Sequence, residues 1–283
     1  MNIQLLIIDP QNDFCHPKKG TLAVPGADED MKRLATMIQR TKGKLDDIHV
    51  TLDSHHYLDI SHPTMWKRVS DGAAPDPFTI LGLDNGKIVK CDMDATGQKI
   101  PTTEEYTTVK YSFLPKVIEY LKALDATGRY PHCIWPVHCL IGSWGACIVP
   151  ELLDAIHEWE AQTAVTNYVT KGSNIFTEHF GAVKAQVPDP NDPTTQINTG
   201  LIQTLEEADI IALTGEALSH CLANTGIDIG GSFSDPKYIQ KLTLLTDASS
   251  SVPGFEFLGD AFIKDMVAKG MKLSTTVDFL VDS

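Results

Sequence analysis

Ile3-Gln4-Leu5-Leu6-Ile7-Ile8 runs into Asp9-Pro10, and Ile48-His49-Val50-Thr51-Leu52 runs into Asp53. Both runs are short and mostly apolar, as strands covered on both faces must be. Between them Met31, Leu34, Ala35 and Ile38 recur on one face at helical spacing, which predicts a helix over about 28–41. Strand, helix and strand in that order are the βαβ unit of an α/β fold, a doubly wound and mainly parallel sheet flanked by helices.

The same alternation returns late in the chain. Strands are predicted near 163–170, 210–213, 241–246 and 273–277, with helices near 201–207, after Cys221, and over 257–269. Two more helices are expected over 115–124 and 150–161, each with a proline suited to its first turn. From about 63 to 108 the chain is rich in Pro, Gly, Asp and Thr, with one short strand-like run at 87–91. The expectation is a single α/β domain over residues 1–283, interrupted by an insertion at about 64–130.

The 23 basic and 37 acidic residues give a formal charge of −14, which argues against nucleic acid or an anionic membrane as partner. No apolar run approaches the length of a membrane span. Met1 to Gln4 lack the basic start of a signal peptide, so a cytoplasmic address is expected. The six cysteines form no CxxC pair, and free thiols are the expected state.

Several polar residues stand where such a sheet places chemistry, at the carboxyl ends of its strands. Asp9 either caps a loop or serves as a general acid/base in the crevice. Residues 209–215, Asp-Ile-Ile-Ala-Leu-Thr-Gly, form another buried run, and Cys221 follows near a helix start. A cysteine there is either a buried apolar filler or a thiol activated by unpaired amides and the helix dipole. Lys171 ends the run Val-Thr-Asn-Tyr-Val-Thr-Lys; such a lysine is ordinarily solvated, but drawn inward it would lower the Cys221 pKa. Lys110 is its rival, within the irregular insertion.

Asp53 and His55 lie two apart on an extended segment and point the same way, so both can grip one ion. His62 can fold back as a third ligand, His138 in Trp135-Pro136-Val137-His138-Cys139 offers another, and His56 points away. Histidines in a polar loop are otherwise simply solvated. One carboxylate with imidazoles suits zinc, ferrous iron or manganese. Trp135 is either ordinary core or, with Phe14, one wall of a pocket for an aromatic ring.

These motifs together resemble the isochorismatase-like cysteine hydrolase superfamily, and its nicotinamidase/pyrazinamidase branch above all. The resemblance rests on Ile7-Ile8-Asp9-Pro10-Gln11-Asn12-Asp13-Phe14-Cys15, Leu22-Ala23-Val24-Pro25-Gly26, Asp53-Ser54-His55 with His62, Trp135 to Cys139, Lys171-Gly172, the Cys221 turn and Leu245-Thr246-Asp247-Ala248. It implies a triad of Asp9, Lys171 and Cys221, with an oxyanion hole at the amides of Ala217 and Cys221 and a cis peptide at Glu216–Ala217. It further implies substrate contacts from Phe14 and Trp135, and one divalent ion, zinc foremost, on Asp53, His55, His62 and His138. The implied reaction is hydrolysis of nicotinamide or a close aromatic amide to acid and ammonia through a thioester, within NAD salvage. The alternatives are another small amide and, in a different class, a non-catalytic metal-binding protein.

Ser219 stands where the family carries an aspartate, Glu216 where a small or apolar residue is usual, and the insertion is longer than typical. The insertion would narrow substrate choice, form a lid, or build a contact in a homo-oligomer.

Overall fold

The computed structural model describes residues 1–94, 97–127 and 129–281. Its elements, in chain order, are β1 (Ile3–Ile8), the short helix α1 (Asn12–Cys15), α2 (Ala27–Thr41) and β2 (Asp47–Asp53). Then come β3 (Trp66–Arg68), β4 (Ile80–Asp84), β5 (Lys87–Met93), β6 (Lys99–Thr108), α3 (Leu114–Thr127) and β7 (His132–Cys133). The chain closes with α4 (Pro150–Glu160), β8 (Asn167–Lys171), α5 (Thr199–Glu207), β9 (Ile210–Gly215), α6 (Ala223–Ser232), β10 (Leu242–Leu245), α7 (Glu256–Ala268) and β11 (Lys272–Ser274).

Six strands make a parallel sheet in the order β11-β10-β9-β1-β2-β8. β1 is central, paired with β9 on one side and β2 on the other, so the winding reverses beside it. That reversal opens a crevice at the carboxyl ends of the strands. Leu5 and Ile7 enter one core with Leu34, Ile38, Leu152 and Trp159, while Leu6 and Ile8 enter the other with Leu213, Leu222 and Phe262. This is the period-two alternation of a strand buried on both faces. Each fully buried Leu or Ile contributes roughly 2 kcal/mol to folding.

The insertion departs from its expected irregularity. Strands β3 to β7 form an antiparallel sheet in the order β3-β6-β5-β4-β7, and α3 covers it. β4 and β5 pair Asp84 with Lys87, leaving a two-residue turn at Asn85 and Gly86, both with positive φ (47° and 80°). Asn-Gly is the pair that such a hairpin turn requires. The strand-like run expected at 87–91 is β5, and its partner β6 escaped prediction because it is half polar: it reads Lys-Ile-Pro-Thr-Thr-Glu-Glu-Tyr-Thr-Thr and is largely uncovered on one face. The final strand is also displaced, ending at Ser274 before Val277.

Candidate active site and metal centre

Asp9 leaves β1 with φ 44°, and this turn aims its fully buried carboxyl into the crevice. Thr51 on β2 fixes it: the hydroxyl donates to Asp9 Oδ1 at 2.6 Å, and the Asp9 amide donates to Thr51 Oγ1 at 3.0 Å. Lys171, the last residue of β8, is drawn inward and almost wholly buried. Its Nζ lies 2.9 Å from Asp9 Oδ2, 3.0 Å from Asp53 Oδ1 and 3.7 Å from Cys221 Sγ. Lys110 is exposed, its ammonium over the Phe113 ring, and takes no part.

Cys221 sits in a π-helical turn, Leu218–Leu222, that runs straight into α6. Thr225 Oγ1 donates to its carbonyl and Asn224 Nδ2 to that of His220, which locks the turn. The Glu216–Ala217 peptide is cis. Among the described residues the Ala217 amide makes no backbone hydrogen bond, so it is free to donate toward the pocket.

The charges of this cluster oppose one another. Burial raises the Asp9 pKa; Lys171 pulls it down and Asp53 pushes it up, leaving it above the ordinary carboxylate range. Burial also raises the Cys221 thiol, and although Lys171 acts downward as expected, Asp9 and Asp53 push up and the net shift is upward. The resting sulfur is therefore a thiol, beside a carboxylate made more basic than usual. Burial lowers Lys171, but Asp53, Asp9 and Cys221 outweigh it and keep the ammonium charged.

Asp53, His55, His62 and His138 meet nearby, all buried. One nitrogen from each of the three histidines lies within 4.8 Å of the others, and Asp53 Oδ2 is 3.1 Å from His55 Nε2 and 3.5 Å from His138 Nε2. Gln11 clamps the end of β2, its amide donating to the Asp53 carbonyl and its oxygen accepting the Asp53 N–H, each at 2.7 Å. Asp13 accepts the Cys139 amide at 2.7 Å, which anchors the loop bearing His138. His56 is exposed, as expected.

This donor set fits a divalent cation. His55 Nε2 and His62 Nδ1 are buried without a hydrogen-bond partner. Burial lowers the His55 pKa, but Asp53 and Asp59 more than reverse it; burial and the neighbouring histidines push His62 down to about 3. His55 is thus held towards its charged form and His62 towards its neutral form, and a metal ion supplies positive charge while needing neutral imidazole ligands. Gly172, with φ 85°, lets the backbone approach closely: a Cβ there would stand 2.7 Å from Asp53 Oδ1 and 3.2 Å from His55 Cε1.

Sequence reasoning missed three neighbours. Asp59 Oδ2 lies 3.1 Å from His55 Nδ1, while its Oδ1 accepts from the Ser61 amide and hydroxyl; it orients the ring as carboxylates orient metal-binding histidines. Glu178 is buried, with Oε2 unpartnered and its pKa pushed up to about 7 by burial. His220 stands beside the nucleophile in a nest of aromatic rings. Only Asp59 carried a signal, its spacing of four from His55.

Phe14, Trp135, Phe180, His220 and Val252 line a slot with Cys221 and Ala217 at one side and Asp53, His138 and Glu178 at another. Both aromatic residues expected at the pocket are thus on its wall. All six cysteines are free thiols, and Cys147 alone among them is exposed. No helix among the described residues is long and apolar enough to cross a membrane.

No family model matches the chain. It is 24% identical to a nicotinamidase of Saccharomyces cerevisiae over 225 residues, 79% of each chain. The structure of the yeast nicotinamidase bound to the inhibitor nicotinaldehyde superposes with a TM-score of 0.62 at 18% identity, covering 96% of this chain and 99% of that one. A pyrazinamidase of Pyrococcus horikoshii in complex with zinc gives 0.54 at 16% identity, covering 97% and 99%. An isochorismatase family protein of Desulfovibrio vulgaris gives 0.50 at 15%, covering 98% and 95%. The chain has the fold of the isochorismatase-like hydrolases, and its resemblance among them is to nicotinamidase and pyrazinamidase.

Proposed function

We propose that this protein is a cysteine amidohydrolase that hydrolyses nicotinamide or a close aromatic amide to the acid and ammonia. The observation that carries the reading is the convergence of Cys221 Sγ, Lys171 Nζ and the Asp9 carboxylate beside an aromatic slot that Cys221 lines together with Asp53 and His138, two members of the cluster that could hold a metal. The nicotinamidase relative and the pyrazinamidase fold neighbour support it. Lys171 beside the sulfur, itself paired with Asp9, favours a nucleophile over a buried filler at Cys221.

Asp9 takes the thiol proton as Sγ attacks the carbonyl carbon, and Lys171 balances the charge of the forming thiolate. The amides of Ala217 and Cys221 receive the developing oxyanion. The C–N bond breaks as Asp9 returns the proton to the departing nitrogen, leaving a thioester on Cys221. Water, deprotonated by Asp9, then attacks the acyl carbon and the thiol leaves with its proton restored. Phe14 and Trp135 sandwich the ring. The slot encloses about 30 Å³.

Asp53, His55, His62 and His138 would hold one divalent ion, zinc foremost with iron and manganese also accepted by such ligands. When bound, the ion supplies a Lewis-acidic anchor for the substrate ring or for water. A role in NAD salvage follows from the substrate, and the free thiols suit the cytoplasm. Acid-quenched protein incubated with nicotinamide should carry an acyl group on the Cys221 peptide by mass spectrometry. An acyl group on another residue, or none during turnover, would refute the thioester route.

A further inference from the structure

A second, larger cleft of about 740 Å³ adjoins the slot beside Cys221, and Trp135, Phe180 and His220 line both. The cleft is also lined by the insertion, through Phe78 before β4 and Met93 at the end of β5, and by the first turn of α7, through Phe257. Phe78, Met93 and Phe257 are 50%, 39% and 63% exposed, an apolar cluster presented to solvent at the mouth of the site.

Two features show a built surface. Phe78 holds φ 68°, a conformation that a bulky side chain avoids, and its ring meets Trp135 edge-on at 5.9 Å. The strained residue thus joins the insertion to the wall of the catalytic slot. His220 lies where the two spaces adjoin, under the rings of Tyr130, Trp135, Phe180 and Phe255, with centroids 5.0 to 5.7 Å away. Ser219 Oγ accepts the Val252 amide at 3.0 Å and lies 2.9 Å from His220 Nδ1, which fixes the ring. Burial lowers the His220 pKa to about 4, which keeps this junction neutral.

We propose that the cleft binds a second, ring-sized apolar group attached to the aromatic amide, so that the substrate class is extended aryl amides, with nicotinamide filling only the inner end. This rests on the amidohydrolase reading above. The extension joins either the aromatic ring or the amide nitrogen. In both cases Sγ–C forms, C–N breaks and Asp9 protonates the nitrogen; ammonia departs from a ring-extended substrate, a primary amine from an N-extended one. Water then converts the thioester to the acid.

The test compares nicotinamide with 5-phenylnicotinamide and N-benzylnicotinamide. Burying one added ring raises kcat/KM roughly ten- to a hundredfold for whichever linkage fits. Phe257→Asp, at an exposed position that folding does not need, should reduce that preference at least tenfold. Cys221-dependent hydrolysis of nicotinamide with neither extended amide preferred would overturn the proposal, as would a preference that Phe257→Asp leaves intact. Total absence of amide turnover refutes the amidohydrolase reading instead, and the cleft is then judged by calorimetric binding to Cys221→Ala. Tighter binding of an extended amide than of nicotinamide, lost in Cys221→Ala/Phe257→Asp, supports the cleft; equal binding overturns it.

Discussion

Asp59 shows how much a site depends on residues that never reach the substrate. It holds His55 by Nδ1 and is itself fixed by Ser61. Asp59→Asn keeps the shape but removes the charge, and should weaken divalent-metal affinity about 10- to 100-fold, measured by chelator competition. Lys171→Ala should silence hydrolysis while Lys110→Ala leaves it intact, because only Lys171 lies within reach of Asp9 and Cys221. The reverse result would move the triad elsewhere. Asp9, Asp53 and Lys171 were legible in the sequence because each closes a strand, and strand ends converge on one crevice. Glu178 was not, since it is brought to the slot by a loop with no periodic signal. The Cys221 environment was legible only in part: the sequence indicates a lysine that lowers the thiol pKa, but burial and two carboxylates prevail once the side chains are packed.

At the level of elements, the antiparallel sheet of the insertion was the largest omission. The strand-like run at 87–91 and the Asn85-Gly86 turn before it were its signatures, while the Thr-rich β6 lacked the apolar alternation that marks half-buried strands. His132 on β7 gives this sheet a pH dependence. Its Nε2 lies 3.0 Å from the Ile60 carbonyl and its Nδ1 3.4 Å from the Tyr120 hydroxyl, and burial lowers its pKa to about 4. Unfolded histidine titrates near 6.5, so between these values the unfolded chain binds more protons than the folded one. The contribution is complete above about pH 6.5 and is lost as pH falls toward 4, amounting to about 3 kcal/mol. Denaturant titrations at pH 7 and pH 5 should show His132→Asn losing less stability on acidification than the wild type. Equal losses would remove His132 from the account.

Across the whole molecule, the cluster of Asp53 and three histidines joins the end of β2 and the loop after it to the loop after β7, which is distant in sequence. Ligand-linked stabilisation is about 3 kcal/mol at a hundredfold excess over Kd, so chelation should lower Tm by several degrees. His55→Ala/His62→Ala should unfold at one temperature with or without chelator; a shift in that variant would place the ion elsewhere. In the parallel sheet β1, β2, β9 and β10 were legible because each is a mostly apolar run bounded by polar turns, while the more polar β8 and β11 lie a few residues from their expected bounds. The relation of insertion to pocket was not, since Phe78 meets Trp135 only through tertiary packing. The account is tested most directly by ammonia release from nicotinamide, with metal-replete wild type and Cys221→Ala measured side by side. Release by the wild type, with none from the variant at equal metal content, is the expected result. Release that persists in Cys221→Ala would contradict the nucleophile, and a metal-replete wild type that releases none would contradict nicotinamide as its substrate.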